Sequence, residues 1–197
     1  MSRRILSRAA ERVAPRLLGS HITSRVGGQR VTLRLTEVEA YGGVGNDPGS
    51  HAFRRRTPRN ETMFGAPGEL YVYFTYGMHW CVNIVTEREG VASAILLRAG
   101  AVIEGVEHAR ARRATSRRDS DLASGPARLA VALGISGSEN GQDVLGAESP
   151  VRLILRPPVA ADAIGSSART GVSGAGASIP WRFYLRDDPT VSRYRPA

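Results

Sequence analysis

Residues 31–41 read Val-Thr-Leu-Arg-Leu-Thr-Glu-Val-Glu-Ala-Tyr, and the first half alternates strictly: Val31, Leu33 and Leu35 against Thr32, Arg34 and Thr36. A period of two commits such a stretch to a β-strand, because strand side chains repeat on one face every second residue. Glu39 and Tyr41 then share a face, and the strand's end delivers a carboxylate and an aromatic ring side by side. Further along, Tyr71-Val72-Tyr73-Phe74-Thr75-Tyr76-Gly77-Met78 holds three of the chain's six tyrosines. Tyr71 and Tyr73 share a face, while Tyr76 stands beside Gly77, where a strand should turn. Tyrosines suit strands and pack in cores, which accounts for any one of these rings taken alone. The set, beside a strand-end carboxylate on a strongly basic chain, forms a kit for handling an extruded nucleobase.

The rest of the chain surrounds these strands with short elements. Residues 9–18 read as a helix with Val13, Leu17 and Leu18 on its apolar side and Gly19 at its end, although Pro15 falls inside it. Gly27-Gly28 turns a hairpin between strands near 20–26 and 30–40. Residues 42–50 form a loop by composition, a hairpin spans 69–86, and a buried strand covers 94–99. Val102 to Arg113 reads as a helix ending in arginines that suit the negative end of its dipole, and Ser116 to Ser120 as mobile. A second helix starts at Ser124-Gly125-Pro126 and runs to Gly134. A strand near 151–156, a Gly/Ala/Ser-rich stretch over 159–178 and a strand at 181–185 complete the chain. With 197 residues, 42% hydrophobic content and no internal repeat, one folded α+β domain over 1–197 is expected, not a parallel βαβ sheet.

Net charge is +9, and all 27 basic residues are arginine. A GC-rich genome would give the same bias, but the positive field exists whatever its origin and points to a polyanionic partner. The absence of lysine excludes a side-chain Schiff base, and leaves the N-terminus as the chain's primary amine. The single cysteine, Cys81, rules out an intramolecular disulfide and reads as a packed thiol in a buried strand. The four histidines show no paired-ligand spacing, so neither a metal nor a cofactor is expected. No apolar run approaches the ~20 residues needed to span a bilayer. Nor does an apolar signal core follow the basic N-terminus, so a cytoplasmic protein without membrane contact is expected.

Six motifs occur in order: Glu37-Val38-Glu39-Ala40-Tyr41, Thr57-Pro58-Arg59-Asn60, Leu70-Tyr71-Val72-Tyr73, Tyr76-Gly77-Met78, Ser124-Gly125-Pro126 and Trp181-Arg182-Phe183-Tyr184. Together they resemble the alkyladenine (3-methylpurine) DNA glycosylase family, over roughly Leu6 to Tyr194. The resemblance implies a curved, mostly antiparallel sheet with surrounding helices and a protruding β-hairpin. It implies a monofunctional base-excision enzyme that flips damaged purines from double-stranded DNA and hydrolyses the N-glycosidic bond; with no coiled coil or dimer seam in the sequence, a monomer is expected. On it, Glu39 matches the general base and Arg98 a helper that positions the water. Tyr41, His51 and Tyr73 match the residues enclosing the flipped base, and Asn83 the group that screens against guanine's 2-amino group. Tyr76 matches the side chain filling the vacated gap. The loop before His51 is one residue longer than in the mammalian pattern, and His79-Trp80 replaces the usual aromatic pair.

From residue chemistry, Arg54, Arg55, Arg56, Thr57 and Arg59 form the expected phosphate-contacting segment. Arg110, Arg112 and Arg113 either add to that field or form a solvated helix face. The hairpin offers a geometric test. A two-residue turn at Gly77-Met78 would pair 73 with 82 and turn Asn83 away from Tyr73, whereas a three-residue loop over 77–79 pairs 73 with 83 and unites them. The longer loop is expected, with Tyr76 at the tip. Two other functions compete: a protein that senses modified bases in DNA without cleaving them, and an enzyme acting on RNA bases. Glu39 speaks against the first, and the lack of an aromatic RNA platform against the second.

Overall fold

The computed structural model describes residues 2–197. Its central element is β2, Val31–Tyr41, which pairs along one edge with β5, Ala94–Glu104. Its other edge is shared by β1, His21–Ser24, against residues 31–34, and by β8, Arg182–Leu185, against Glu37–Glu39. The main path of the eight-stranded sheet runs β3-β4-β5-β2-β1-β6, with β3 Leu70–Thr75, β4 His79–Val85 and β6 Val151–Ile154. A further strand, β7 Ile164–Ser167, pairs with β8, and every ladder is antiparallel. This is the expected α+β architecture.

The alternation that identified β2 changes phase in mid-strand. Val31, Leu33 and Leu35 belong to the apolar core before Thr36, but Val38 and Ala40 belong to it afterwards. The ladder to β5 is irregular at that point, with register shifts between Leu35 and Val38. Such irregularities re-aim side chains. Here the shift takes Glu37 and Glu39 off the apolar face, and both are nonetheless completely buried.

Among the described residues, four α-helices pack around the sheet. Helix α1 is Ser2–Leu6 and α2 is Ala10–Leu17, the latter with Val13, Ala14 and Leu17 buried against β2 and with Pro15 accommodated inside it. The residues after Met1, which the sequence suggests are a flexible leader, are instead this first helix. Arg3 fastens it by donating to Asp143 and to the Pro67 carbonyl, both at 2.6 Å. Helix α3 is Val106–Arg112, and α4, Pro126–Leu133, packs on β4 and β5. Proline at the start of α4 and a left-handed Gly134 at its end match the sequence signals. No described helix is long and apolar enough to cross a membrane.

The helix expected over Val102 to Arg113 is shorter. Residues up to Glu104 continue β5, where Thr32 pairs with Glu104 and donates its hydroxyl to that carboxylate at 2.9 Å. Gly105, at φ 73°, then turns the chain into α3. The Gly/Ala/Ser-rich stretch also conceals β7, whose short Ile-Gly-Ser-Ser sequence carries no periodic signal. A Cβ at position 105 would collide with the Arg30 carbonyl oxygen as well as strain the backbone. Gly105→Ala should therefore cost about 2 kcal/mol and lower Tm by about 4–8 °C. A thermal melt checks this, and an unchanged Tm would show that the junction has room to yield.

Candidate active site

The β3–β4 hairpin aims its rings at a cavity. Tyr71 pairs with Asn83, Tyr73 with Cys81 and Thr75 with His79, so the loop is Tyr76-Gly77-Met78. The expected loop length of three is right, but its position is shifted by one, and 73 does not pair with 83. The reason lies in the backbone: Tyr76 (φ 52°) and Gly77 (φ 65°) are both left-handed, so Tyr76 opens the turn and does not close the strand. Asn83 still shares a face with Tyr73, diagonally across the ladder. Tyr76 stands 85% exposed at the tip, flanked by exposed Met78 and Phe74.

The cavity holds about 220 Å³, and Tyr41, His51, Tyr71, Tyr73, Asn83 and Arg98 all line it. That is below the ~300–1,000 Å³ of pockets for drug-sized ligands, and suits one planar base. The His51 and Tyr73 ring centroids lie 4.6 Å apart edge to face, and those of Tyr71 and Tyr73 5.2 Å apart. His51 Nδ1 and the Tyr71 hydroxyl share a hydrogen bond at 3.1 Å. Although His51 as a residue is exposed, partial burial of its ring and then the Arg59 charge hold it below the usual histidine range, favouring neutral imidazole. Burial pushes the Tyr71 phenol up to about 12 and raises Tyr73 and the Cys81 thiol as well. The Asn83 side-chain amide donates to the Tyr71 carbonyl at 2.9 Å, which fixes its orientation.

Behind this wall lies Glu39. Its Oε2 accepts from the Tyr41 hydroxyl at 2.9 Å and from Arg98 Nη1 at 3.2 Å, and its Oε1 accepts from the Thr170 amide at 2.7 Å. The carboxylate is 0% exposed, yet all three donors line the cavity. Burial and then the Glu39 charge keep the Tyr41 hydroxyl protonated, as its donor role requires. Arg98 also donates from Nε to Glu37 Oε1 at 2.9 Å. Glu37 in turn accepts from Arg182 Nε at 2.7 Å and from the Ser192 amide and hydroxyl at 2.7 and 3.0 Å. Burial alone would lower the Arg98 pKa, and the Glu39 and Glu37 charges more than reverse this.

The basic segment divides. Arg54 and Arg55 are exposed, with no carboxylate within 4 Å among the described residues. Arg56 is held by Glu61, with one bond at 2.7 Å. The Arg59 guanidinium lies 5.9 Å from the Tyr73 ring centre and donates to the Phe74 carbonyl at 3.3 Å. Thr57 donates its amide to Asn60, whose side chain holds the His51 and Arg55 carbonyls at 2.9 and 3.0 Å. The later arginines fasten the fold. Arg110 pairs with Asp119 at 2.6 Å, Arg112 donates to the Ala132 and Val26 carbonyls at 3.0 Å, and Arg113 donates to the Leu122 carbonyl at 3.3 Å. Among the described residues no cluster of His, Cys, Asp or Glu could hold a metal ion.

Sequence reasoning passed over Glu37, Asp47, Arg169, Thr170, Arg182 and Ser192. Glu37 and Arg182 lay inside quoted motifs, whereas Asp47 and Arg169 sit in loops where no periodicity marks them. They form an ion pair with both side chains 0% exposed, two bonds of 2.6 and 2.7 Å.

A family model for methylpurine-DNA glycosylase matches residues 4–189. The chain belongs to the methylpurine-DNA glycosylase family. Among its relatives, a protein of Streptomyces avermitilis is 51% identical over 196 residues, covering 99% of this chain and 92% of its own. A protein of Leifsonia xyli is 51% identical over 189 residues, covering 93% and 87%, and one of Burkholderia orbicola is 43% identical over 197 residues, covering 98% and 91%. All three are provisionally named 3-methyladenine DNA glycosylase. The family identity makes DNA the substrate and the protein an enzyme.

In this methylpurine-DNA glycosylase, burial alone would raise the Asp47 carboxyl, but Arg169 and the amides of Gly42 and Gly49 hold it below the usual range. A depressed carboxyl stabilises the fold above its unfolded value, near 3.9, and that stability is lost as pH falls through the folded value. Asp47→Asn should cost about 3 kcal/mol at pH 7, because Arg169 loses its counter-charge. The Tm gap to wild type should narrow as pH drops below about 4, where the unfolded chain takes up a proton at Asp47, and close only at lower pH where folded Asp47 is itself neutralised. A gap that stays constant across this range would contradict the ion pair.

Proposed function

We propose that the protein excises alkylated or deaminated purines from duplex DNA by hydrolysing the N-glycosidic bond, leaving an abasic site. The observation that carries this reading is the Glu39 carboxylate, held by Tyr41, Arg98 and the Thr170 amide directly behind an aromatic cavity of base size. Oε2 has both acceptor positions occupied, whereas Oε1 takes one bond and keeps a lone pair for water.

Arg54, Arg55, Arg56, Thr57 and Arg59 would meet the phosphates, with Arg56 exchanging Glu61 for DNA. Tyr76, exposed at the hairpin tip, would fill the gap left by the flipped nucleotide. Tyr41, His51 and Tyr73 would enclose the base, and Asn83, fixed by the Tyr71 carbonyl, would screen its edge. Purines alkylated at N3 or N7 are cationic, and electron-rich ring faces favour cations by ~0.5–2 kcal/mol.

In the chemical step the water oxygen bonds to C1′ as the C1′–N bond breaks, and its electron pair leaves with the base. Glu39 takes the water proton, and its negative charge also stabilises the positive charge developing on the sugar. A cationic base departs neutral and needs no strong acid, whereas a neutral base such as hypoxanthine leaves as an anion that takes a proton from solvent. The provisional names of the relatives support an alkylated purine as substrate. Water is the nucleophile, since the chain has no lysine. The Met1 amine lies outside the described residues.

The test is a duplex holding one hypoxanthine or ethenoadenine. Wild type should release free base, and Glu39→Gln should bind the lesion normally yet release base at least ~10²-fold more slowly. Near-normal turnover by Glu39→Gln would remove the general-base assignment, and lesion binding by wild type without release would favour a base-sensing module.

A further inference from the structure

Besides the hairpin and β5, the cavity wall draws on β2, on the loop carrying Ser50 and His51, and on the loop carrying Thr170 to Val172. One side chain ties both loops to the strand. Arg169, 1% exposed, is the largest fully buried side chain among the described residues. Its Nη1 donates to Asp47 Oδ2 at 2.6 Å and to the Ala40 carbonyl at 2.9 Å, and its Nη2 donates to Asp47 Oδ1 at 2.7 Å. Ala40 is the residue between Glu39 and Tyr41. The guanidinium centre lies 4.6 Å from the Tyr41 ring centre and 5.4 Å from that of Trp181. Tyr41 lines the cavity and Arg169 does not, so the cation backs the ring from outside.

As a stabilising device this is a poor one. A fully buried ion pair loses to desolvation much of what it gains by attraction. Arg169 Nε and the neighbouring Thr170 Oγ1 are also buried without partners, a further cost that native proteins seldom carry without cause. The loops are thinned to glycine where the arginine passes. A Cβ at Gly49 would lie 2.7 Å from Arg169 Nη2, and one at Gly176 would lie 2.7 Å from the Gly49 nitrogen. What the arrangement secures is geometry, since two of the three donors to Glu39 are the ring that Arg169 backs and the amide of the residue that follows it.

We propose that the Arg169–Asp47 pair is a positioning clamp for base excision, setting the Tyr41 hydroxyl and the Thr170 amide so that they hold the Glu39 carboxylate toward its water. Arg169 touches neither substrate nor water and acts through its neighbours. The inference rests on Glu39 being the base that activates water.

Arg169→Lys keeps the charge beside Asp47 but loses the two-pronged contact. Gly49→Ala keeps both charged groups and displaces the guanidinium, and because Gly49 lacks a positive φ its backbone accepts alanine. Each is measured for single-turnover release of hypoxanthine at saturating enzyme, for affinity toward the same duplex, and for Tm. The saturated rate constant should fall about 10²-fold, with affinity changed by no more than about threefold. A merely structural pair would lower Tm and the active fraction while the folded molecules kept the wild-type rate constant. That outcome, or a loss confined to affinity, overturns the clamp. Should Arg169→Lys not fold, Gly49→Ala decides. If Glu39→Gln retains turnover, the reading of the reaction fails; if Glu39→Gln is inactive while both clamp variants keep the wild-type rate, only the clamp fails.

Discussion

Two carboxylates two residues apart on β2, both completely buried, impose the strongest constraint on this molecule. An uncompensated buried charge costs several kcal/mol, so the fold around Glu37 and Glu39 must supply cations and donors. Arg98 spans both acids from β5, and Arg182 reaches Glu37 from β8. Ser192 adds its amide and hydroxyl to Glu37, and its carbonyl accepts from Arg182 at 2.9 Å. The C-terminal segment therefore covers the charge cluster as well as finishing the chain. The four bonds to Glu37 serve structure and orient Arg98, whereas the three donors to Glu39 all line the cavity and leave an acceptor position on Oε1.

That division of labour depends on the phase change in β2. Had the alternation of Val31, Leu33 and Leu35 continued, Glu37, Glu39 and Tyr41 would face the apolar core. The irregular ladder between Leu35 and Val38 turns them away, toward the space that the β3–β4 hairpin encloses with Tyr71, Tyr73 and Asn83. Acid, rings and amide then meet although the strand carrying the acid and the hairpin carrying the rings and amide are far apart in sequence.

Regular periodicity made much of this legible. The strand carrying Glu39 and Tyr41, the hairpin carrying Tyr73 and Asn83, and the capped helix from Pro126 all follow from local pattern. The hairpin register was legible only to within one position, because a left-handed tyrosine is a choice the local sequence does not announce. The continuation of β5 through Glu104 reads equally well as helix, since it is decided by Thr32 and Gly105 and not by its own residues. Asp47 and Arg169 were invisible for a deeper reason: a partnership across 122 residues between two loops has no signature short of the fold itself. The arginine run after Val106, which the sequence leaves open between a phosphate field and a solvated helix face, is engaged largely with carbonyls and Asp119.

The central claim is that water, activated beside Glu39, is the nucleophile, and a chain without lysine makes that claim unusually exposed to test. An enzyme that attacks the sugar with an amine forms an imine that borohydride traps as a covalent protein–DNA adduct. The most direct measurement is a borohydride-quenched turnover on a hypoxanthine duplex, with free base, strand integrity and adduct followed together. Hydrolysis predicts full base release, an unbroken strand carrying an abasic sugar until alkali is added, and no adduct above background. A robust adduct, or strand breaks without alkali, would contradict it and place the attacking group on the N-terminal amine.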